Sequence, residues 1–206
     1  MTLYGRAKPH LKVMLSNFKL LMNRFNYGVL FIPPALTVLL WIIMAAGVVN
    51  PAKPPLEIAA VVVCGLFMLI AVVRFIVSRH VFFLWSTALF LLILCREIHF
   101  EGTDEAIVIG LVVLLGIVLL KYDRFKAYLA NPWVVNLLVA GFFTYFLSQT
   151  LDQRWWRIIP GEDLVNVSLE ETLELLGHGM IGFAGVLCKK CEPVYACPCP
   201  PPESQK

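Results

Sequence analysis

Charged residues are scarce in this 206-residue chain, at 15% of the total, whereas soluble domains contain about a quarter. Several motifs that mark catalytic or nucleotide-binding sites are also missing. The sequence has no phosphate loop and no G-x-G-x-x-G, G-x-S-x-G or H-E-x-x-H motif. It also lacks a G-x-x-x-G motif and the internal repeat typical of inverted-repeat transporters. These absences exclude a soluble enzyme built around one of those motifs.

Hydrophobic residues fill the chain instead, at 59% with a mean hydropathy of +0.78. They form continuous runs, most of them near the ~20 residues that a helix needs to cross the bilayer core. We therefore expect an all-α integral membrane protein with a six-helix transmembrane bundle over residues 28–187. The six predicted spans are 28–49, 58–77, 81–98, 106–122, 133–151 and 164–187.

The basic residues predict how this bundle is oriented, because cytoplasmic loops of membrane proteins are enriched in Lys and Arg. With both termini cytoplasmic, 13 of the 17 basic residues lie on the inner side and 11 of the 14 acidic residues on the outer side. A bacterial inner (plasma) membrane is the expected location, with the lipid bilayer as the first partner. The pI of 8.5 then reflects this asymmetry, and we expect no nucleic-acid partner.

Residues 1–27 predict a basic amphipathic helix ahead of the first span. Leu11, Leu15, Phe18 and Met22 recur at helical spacing, with polar and basic residues on the other side. We expect this helix to lie along the cytoplasmic headgroups. Two consecutive prolines, at positions 33–34, should kink the first span or break its first turn.

The sixth span carries the charges that the other spans lack. Ionisable side chains within a bilayer are costly and usually mark a functional site. Glu170, Glu174 and His178 follow a four-residue spacing that places them on one helix stripe. Ser168 and Glu171 match a capping box, which predicts that this helix begins at Ser168.

A second polar cluster, containing Glu97 and His99, follows the third span and faces the same leaflet. The sequence therefore predicts one outward-facing intramembrane polar site, with basic and acidic side chains nearby as ion-pair partners. The expected site residues are Glu97, His99, Glu170, Glu171, Glu174 and His178, and the expected partners are Arg96, Asp152, Arg154 and Arg157.

The last segment, 188–206, is rich in cysteine and proline. Cys188, Cys191, Cys197 and Cys199 could bind zinc or an iron–sulfur cluster, although they lack the usual 12-to-20-residue gap between ligand pairs. Acylation of these cysteines and a disordered tail remain open as alternatives.

Three functional hypotheses follow from this pattern. The leading one is a channel or transporter that handles a cation or proton, or a subunit of a larger membrane complex or homo-oligomer. A second is a membrane-embedded metal-dependent enzyme, with a metal ion bound by Glu171, Glu174 and His178 of the last span together with Glu97 or His99. A third is a scaffold or assembly factor in which the same charges form interhelical ion pairs.

Overall fold

The computed structural model describes residues 3–49, 51–98, 103–159 and 162–188. Within these ranges all regular secondary structure is helical. The elements are α1 (Leu3–Met22), a 3₁₀ turn (Tyr27–Phe31), α2 (Ile32–Ala45), α3 (Lys53–Ser78), α4 (Val81–Glu97), α5 (Thr103–Leu120), α6 (Tyr122–Leu129), α7 (Pro132–Asp152) and α8 (Glu162–Leu187). The predicted all-helical fold is confirmed.

Three helical stretches in the described ranges are long and apolar enough to cross a membrane: Tyr27–Ala45, Lys53–Ser78 and Pro132–Asp152. Ile107–Leu120 in α5 is a shorter apolar helix, and α4 has 17 residues. The structure is therefore that of a helical protein compatible with a multi-pass membrane protein. Six crossings, and the side on which each terminus lies, stay predictions.

The two prolines begin a helix instead of kinking one. Pro33 and Pro34 lie in the first turn of α2, after the 3₁₀ turn, where a missing backbone N–H costs no helical hydrogen bond. Thr37, one turn further along α2, donates a hydrogen bond from Oγ1 to the Pro33 carbonyl at 2.8 Å. The predicted first span, 28–49, is therefore divided, and its α-helical part ends at Ala45.

A short helix, α6, separates the fourth and fifth predicted spans and was not expected. The predicted span 106–122 ends at Leu120, and α6 begins two residues later. Tyr122, Phe125, Tyr128 and Leu129 are buried on one side of α6, which explains why this charged octapeptide is helical: its apolar side packs on the bundle.

The capping box predicted at Ser168 is wrong, because α8 begins six residues earlier, at Glu162. Ser168 lies within the helix, and its hydroxyl donates to the Pro51 carbonyl at 2.9 Å. Glu174 consequently lies about 18 Å and His178 about 24 Å along a helix of about 39 Å. Capping therefore does not account for any of the α8 glutamates of the predicted site.

Helix α8 lies inside the bundle, packed against α2, α3 and α7. Leu169, Leu173 and Ala184 are at most 1% exposed, whereas the outer sides of α2 and α3 expose many large hydrophobic side chains. α7 and α8 approach closely because Gly141 and Gly177 face each other. A Cβ atom at Gly141 would lie 3.2 Å from the Gly177 carbonyl oxygen. The helix with the most charge is thus shielded by apolar helices.

Helix α1 is confirmed as a helix and packs against α5. Asn17 donates from Nδ2 to the Leu119 carbonyl at 2.7 Å, which ties the two helices together. Leu11, Leu15 and Phe18 remain about half exposed. An apolar, exposed side suits contact with lipid, and the interfacial position of α1 stays a prediction.

Candidate functional site

Charged side chains from four helices meet at one end of the bundle. Antiparallel packing brings the N-terminus of α3, the C-termini of α4 and α7, and the N-terminal half of α8 to the same end. Together they enclose a cavity of about 190 Å³. Its lining residues are Lys53, Arg96, Glu97, Asp152, Glu170, Glu171 and Glu174. We call this the acidic cavity.

Glu174 is a buried carboxylate of the acidic cavity with three hydrogen-bond donors around it. It is 5% exposed, and Arg96 Nη2 lies 2.6 Å from its Oε1 atom. Ser148 donates to the same oxygen at 3.0 Å, and Gln149 Nε2 lies 3.4 Å away. Three donors on one oxygen stabilise an ionised carboxylate, and the guanidinium gives the strongest of these bonds.

His178 lies deeper along α8 and is fully buried. Its Nε2 atom is 3.5 Å from Glu97 Oε1 and contacts the Tyr145 hydroxyl. Its Nδ1 atom has no hydrogen-bond partner in the described part of the chain. Glu97 also lies 3.7 Å from Arg96 Nη1. Glu97 and Tyr145 therefore both lie against the same nitrogen of His178 at the inner end of the acidic cavity.

Glu171 occupies the rim of the acidic cavity. Lys53 Nζ lies 3.1 Å from Glu171 Oε1 and 3.4 Å from Glu57 Oε1. The lysine side chain is 48% exposed, and that of Glu171 is 8% exposed. Glu170 is half-buried and also lines the cavity. The exposed Lys53–Glu57 pair contributes little stability, whereas Glu171 is buried beside the lysine.

Negative charge exceeds positive charge at this site. Two basic and five acidic side chains line the cavity, a formal excess of three negative charges. Within the described residues, Arg96 contacts both Glu97 and Glu174. An acidic lining of this kind attracts positive charge to the cavity.

Of the remaining predicted residues, one lies at the acidic cavity, and the others lie away from it or outside the described ranges. His99, Cys191, Cys197 and Cys199 are outside the described residues. Arg154 and Arg157 are exposed in the segment after α7, and Asp152 is an exposed residue at the cavity. Cys188 is buried at the opposite end of the bundle, where its carbonyl accepts a hydrogen bond from Arg74.

Four residues of the site were missed by the sequence reasoning: Lys53, Tyr145, Ser148 and Gln149. The last three lie on α7 with spacings of three and four residues, which places them on one side of the helix. That polar stripe within an otherwise apolar span was a usable signal. Lys53 gave no comparable signal, because its pairing with Glu171 depends on how α3 packs against α8.

Within the described ranges, no three His, Cys, Asp or Glu side chains form a group that could hold a metal ion. The three α8 residues of the metal hypothesis each contact a different side chain instead of converging on one point. Glu171 pairs with Lys53, Glu174 with Arg96, and His178 with Glu97 and Tyr145. The two carboxylates are thus paired with cations that a metal ion would have to displace, and the imidazole nitrogen Nε2 is in contact with a hydroxyl group.

Comparison with known proteins found no matching protein-family model, no matching curated protein and no matching solved structure.

Proposed function

We propose that this protein is a multi-pass membrane protein that takes up a proton or a monovalent cation in the acidic cavity. It would act as a channel or transporter, or as the ion-handling subunit of a larger membrane complex. The observation that carries the proposal is the acidic lining of the cavity, where two basic and five acidic side chains of the described residues meet.

A proton is the ion that this arrangement favours. Glu97 lies within 3.5 Å of His178 Nε2, and the Tyr145 hydroxyl contacts the same nitrogen. These three groups exchange protons, and burial away from bulk water favours neutralising the excess charge. A monovalent cation would have to coordinate Glu97 and Glu174 beside the guanidinium of Arg96, which repels it.

Access to this site is one-sided in the described conformation. The acidic rim attracts cations to one end of the bundle. Beyond His178, however, Ile181 and Ala184 are buried in apolar clusters. A proton reaching His178 therefore needs a conformational change or a partner protein to continue. Under the predicted orientation, the cavity opens to the outer side of the membrane.

The test is proton flux into vesicles that contain the purified protein and an enclosed pH-sensitive dye. A pH gradient should acidify wild-type vesicles faster than protein-free vesicles. Glu97→Gln should reduce the rate to that of protein-free vesicles, because it removes the proton-accepting carboxylate. Asp123→Asn is the matched control, since Asp123 lies in an exposed pair on α6, and it should leave the rate unchanged.

Proton binding is measured separately, which covers a subunit that moves protons only within a complex. Infrared difference spectra between acidic and neutral pH should contain the C=O stretch of a protonated carboxylic acid, and Glu97→Gln should remove this band. Potassium or sodium replacing the proton would instead change the carboxylate bands at constant pH. Wild-type spectra without any carboxyl change, together with flux equal to that of protein-free vesicles, would reject the proposal.

The geometry of Glu174 favours a second candidate, a structural role in a scaffold or assembly factor. The Arg96–Glu174 contact at 2.6 Å, with Ser148 as a further donor, is the geometry of a stable interhelical ion pair. The two roles differ at Glu97. If the cluster only locks helices together, Glu97→Gln should leave both proton binding and flux at the wild-type level.

A further inference from the structure

A second cavity, of about 220 Å³, lies between α4, α5, α7 and α8. Arg96 lines this cavity as well as the acidic cavity. The other lining residues are Ile93, Ile107, Val108, Leu111, Phe142, Tyr145, Phe146, Gln149 and Ile181. We call it the lateral cavity. Its walls are apolar except at the end where Arg96, Tyr145 and Gln149 lie.

The position of the lateral cavity suits a molecule that arrives through the lipid. Val108 and Phe146, 61% and 54% exposed, border it from α5 and α7. Ile93 and Ile181, each 2% exposed, form its inner wall. A cavity with an exposed apolar border and a buried apolar wall is accessible to solutes dissolved in the membrane.

The charges near the polar end exclude an anionic head group. Arg96 is 2.6 Å from Glu174 and 3.7 Å from Glu97. A carboxylate or phosphate would bring a third negative charge to one guanidinium, and that repulsion is poorly screened away from bulk water. The ligand head group is therefore expected to be neutral.

Hydrogen-bond donors at the polar end select a neutral acceptor. Arg96 Nη1 has no hydrogen-bond partner in the described part of the chain. Gln149 Nε2 makes a long contact of 3.4 Å with Glu174. The Tyr145 hydroxyl contacts His178 Nε2, so the donors open to a ligand are those of Arg96 and Gln149. Buried donors of this kind favour carbonyl oxygens.

Aromatic side chains provide the rest of the recognition. Phe142, Tyr145 and Phe146 lie on one side of α7, at spacings of three and four residues. Aromatic rings pack favourably against other flat rings, either offset-stacked or edge to face. The body of the ligand is therefore expected to contain a flat ring.

We propose that the lateral cavity binds a neutral, lipid-soluble molecule with carbonyl oxygens on a flat ring, the chemistry of a membrane quinone. Its carbonyl head lies toward Arg96, Tyr145 and Gln149, and its apolar tail extends past Val108 and Phe146 into the lipid. This inference concerns binding alone and goes beyond the proposed function, because proton uptake at Glu97 does not require it.

The test uses a photoreactive quinone analogue with the purified full-length protein in nanodiscs of neutral lipid. Labelling should saturate, should map to α5 or α7, and should be displaced by decylubiquinone but not by decanoate, which has an apolar chain and a carboxylate head. Leu111→Trp fills the cavity and should weaken decylubiquinone binding by at least about tenfold. Val112→Trp is the matched control, since Val112 is 65% exposed and not part of the lining.

Three results would overturn the inference. They are labelling that does not saturate and spreads over the lipid-facing helices, equal binding by Leu111→Trp and wild type, and equal displacement by decanoate. Ile107→Phe, a smaller change in the same cavity, replaces Leu111→Trp if the latter does not fold. Glu97→Gln should label like wild type, so the loss of proton uptake and the loss of quinone binding are separate outcomes.

Discussion

Arg96 is the residue on which the balance of buried charge depends. Replacing it with leucine leaves Glu97 and Glu174 without their guanidinium partner in a site where water is scarce. Removing one member of a buried ion pair typically costs about 3–5 kcal/mol. We expect Arg96→Leu to lower the free energy of unfolding by that amount, measured by denaturant titration in mixed micelles.

A double-mutant cycle separates the ion pair from simple packing. Arg96→Leu combined with Glu174→Leu should cost less than the sum of the two single substitutions, because the double variant no longer contains a Glu174 carboxylate that has lost its guanidinium partner. Asp123→Ala, which breaks an exposed pair with Lys126, should leave stability unchanged within error. Strict additivity of the two buried substitutions would contradict the assigned pairing.

Arg74 holds the far end of α8 in the same way that Arg96 holds its middle. Its guanidinium donates to the carbonyls of Val186 at 2.8 Å and Cys188 at 2.6 Å, and also to that of Gly185. The Gly185 and Val186 carbonyls are among the last of α8, which have no partner within the helix, and Cys188 directly follows its end. We expect Arg74→Met to cost about 1–3 kcal/mol and to speed amide hydrogen exchange near Leu187.

Arg79→Met is the control for Arg74→Met. Arg79 is an exposed arginine just after α3, the helix that carries Arg74. Arg79→Met should leave exchange at the end of α8 unchanged. If Arg74→Met and Arg79→Met have equal effects, general loss of positive charge is the cause and the carbonyl contacts are not.

At the residue scale, the sequence predicted which side chains are unusual but not which of them pair. Glu174 and His178 stand out because ionisable residues are rare in apolar runs. Their partners depend on the rotation of each helix about its axis, which composition does not encode. Arg96 was among four expected ion-pair residues, whereas Lys53 and the polar side chains of α7 were not expected.

At the scale of the element, the contact between α7 and α8 depends on a close approach at Gly141. A Cβ atom there would lie 2.7 Å from Ile181 Cγ1 and 3.3 Å from the Ile181 backbone nitrogen. Gly141→Ala must therefore push the two helices apart, which should cost about 1–3 kcal/mol. The same denaturant titration measures this loss.

Gly179→Ala tests whether the cost comes from the close approach. A Cβ atom at Gly179 would have no neighbour within 4 Å, and alanine is a better helix former than glycine. This variant should be as stable as wild type or slightly more stable. A loss equal to that of Gly141→Ala would show that the helix contact is not what matters.

Element boundaries were harder to predict than element type. The apolar runs predicted helices correctly, but the sequence also suggested a start for α8 at Ser168, where the helix has already completed more than one turn. Local capping patterns compete with tertiary contacts, and here the hydroxyl of Ser168 bonds to Pro51. α6 was missed because an amphipathic octapeptide is helical only when a bundle covers its apolar side.

At the scale of the whole molecule, charged side chains lie inside the bundle and large apolar side chains lie on its surface, the reverse of a soluble protein. Glu171, Glu174 and His178 lie within the bundle, whereas the outer sides of α2, α3 and α5 expose large hydrophobic side chains. Lipid solvates such a surface and water does not. Composition alone predicted this inversion, because too few charged residues exist to cover the outside.

The orientation of this bundle is tested with single introduced cysteines. Ile158, 90% exposed after α7, and Asp123, with a side chain 90% exposed on α6, are separated by one predicted crossing. If both termini are cytoplasmic, a membrane-impermeant maleimide should label Ile158→Cys in intact cells, but Asp123→Cys only after permeabilisation. Labelling above that of the parent chain is the measurement, because the parent has cysteines of its own.

Each other labelling pattern has a definite meaning. Label at Asp123→Cys alone in intact cells would reverse the orientation and open the acidic cavity to the cytoplasm. Label at both positions would mean that α7 does not cross the membrane. Since α7 carries Tyr145 and Ser148 to the buried charges, a surface position for α7 would also contradict the proposed intramembrane site.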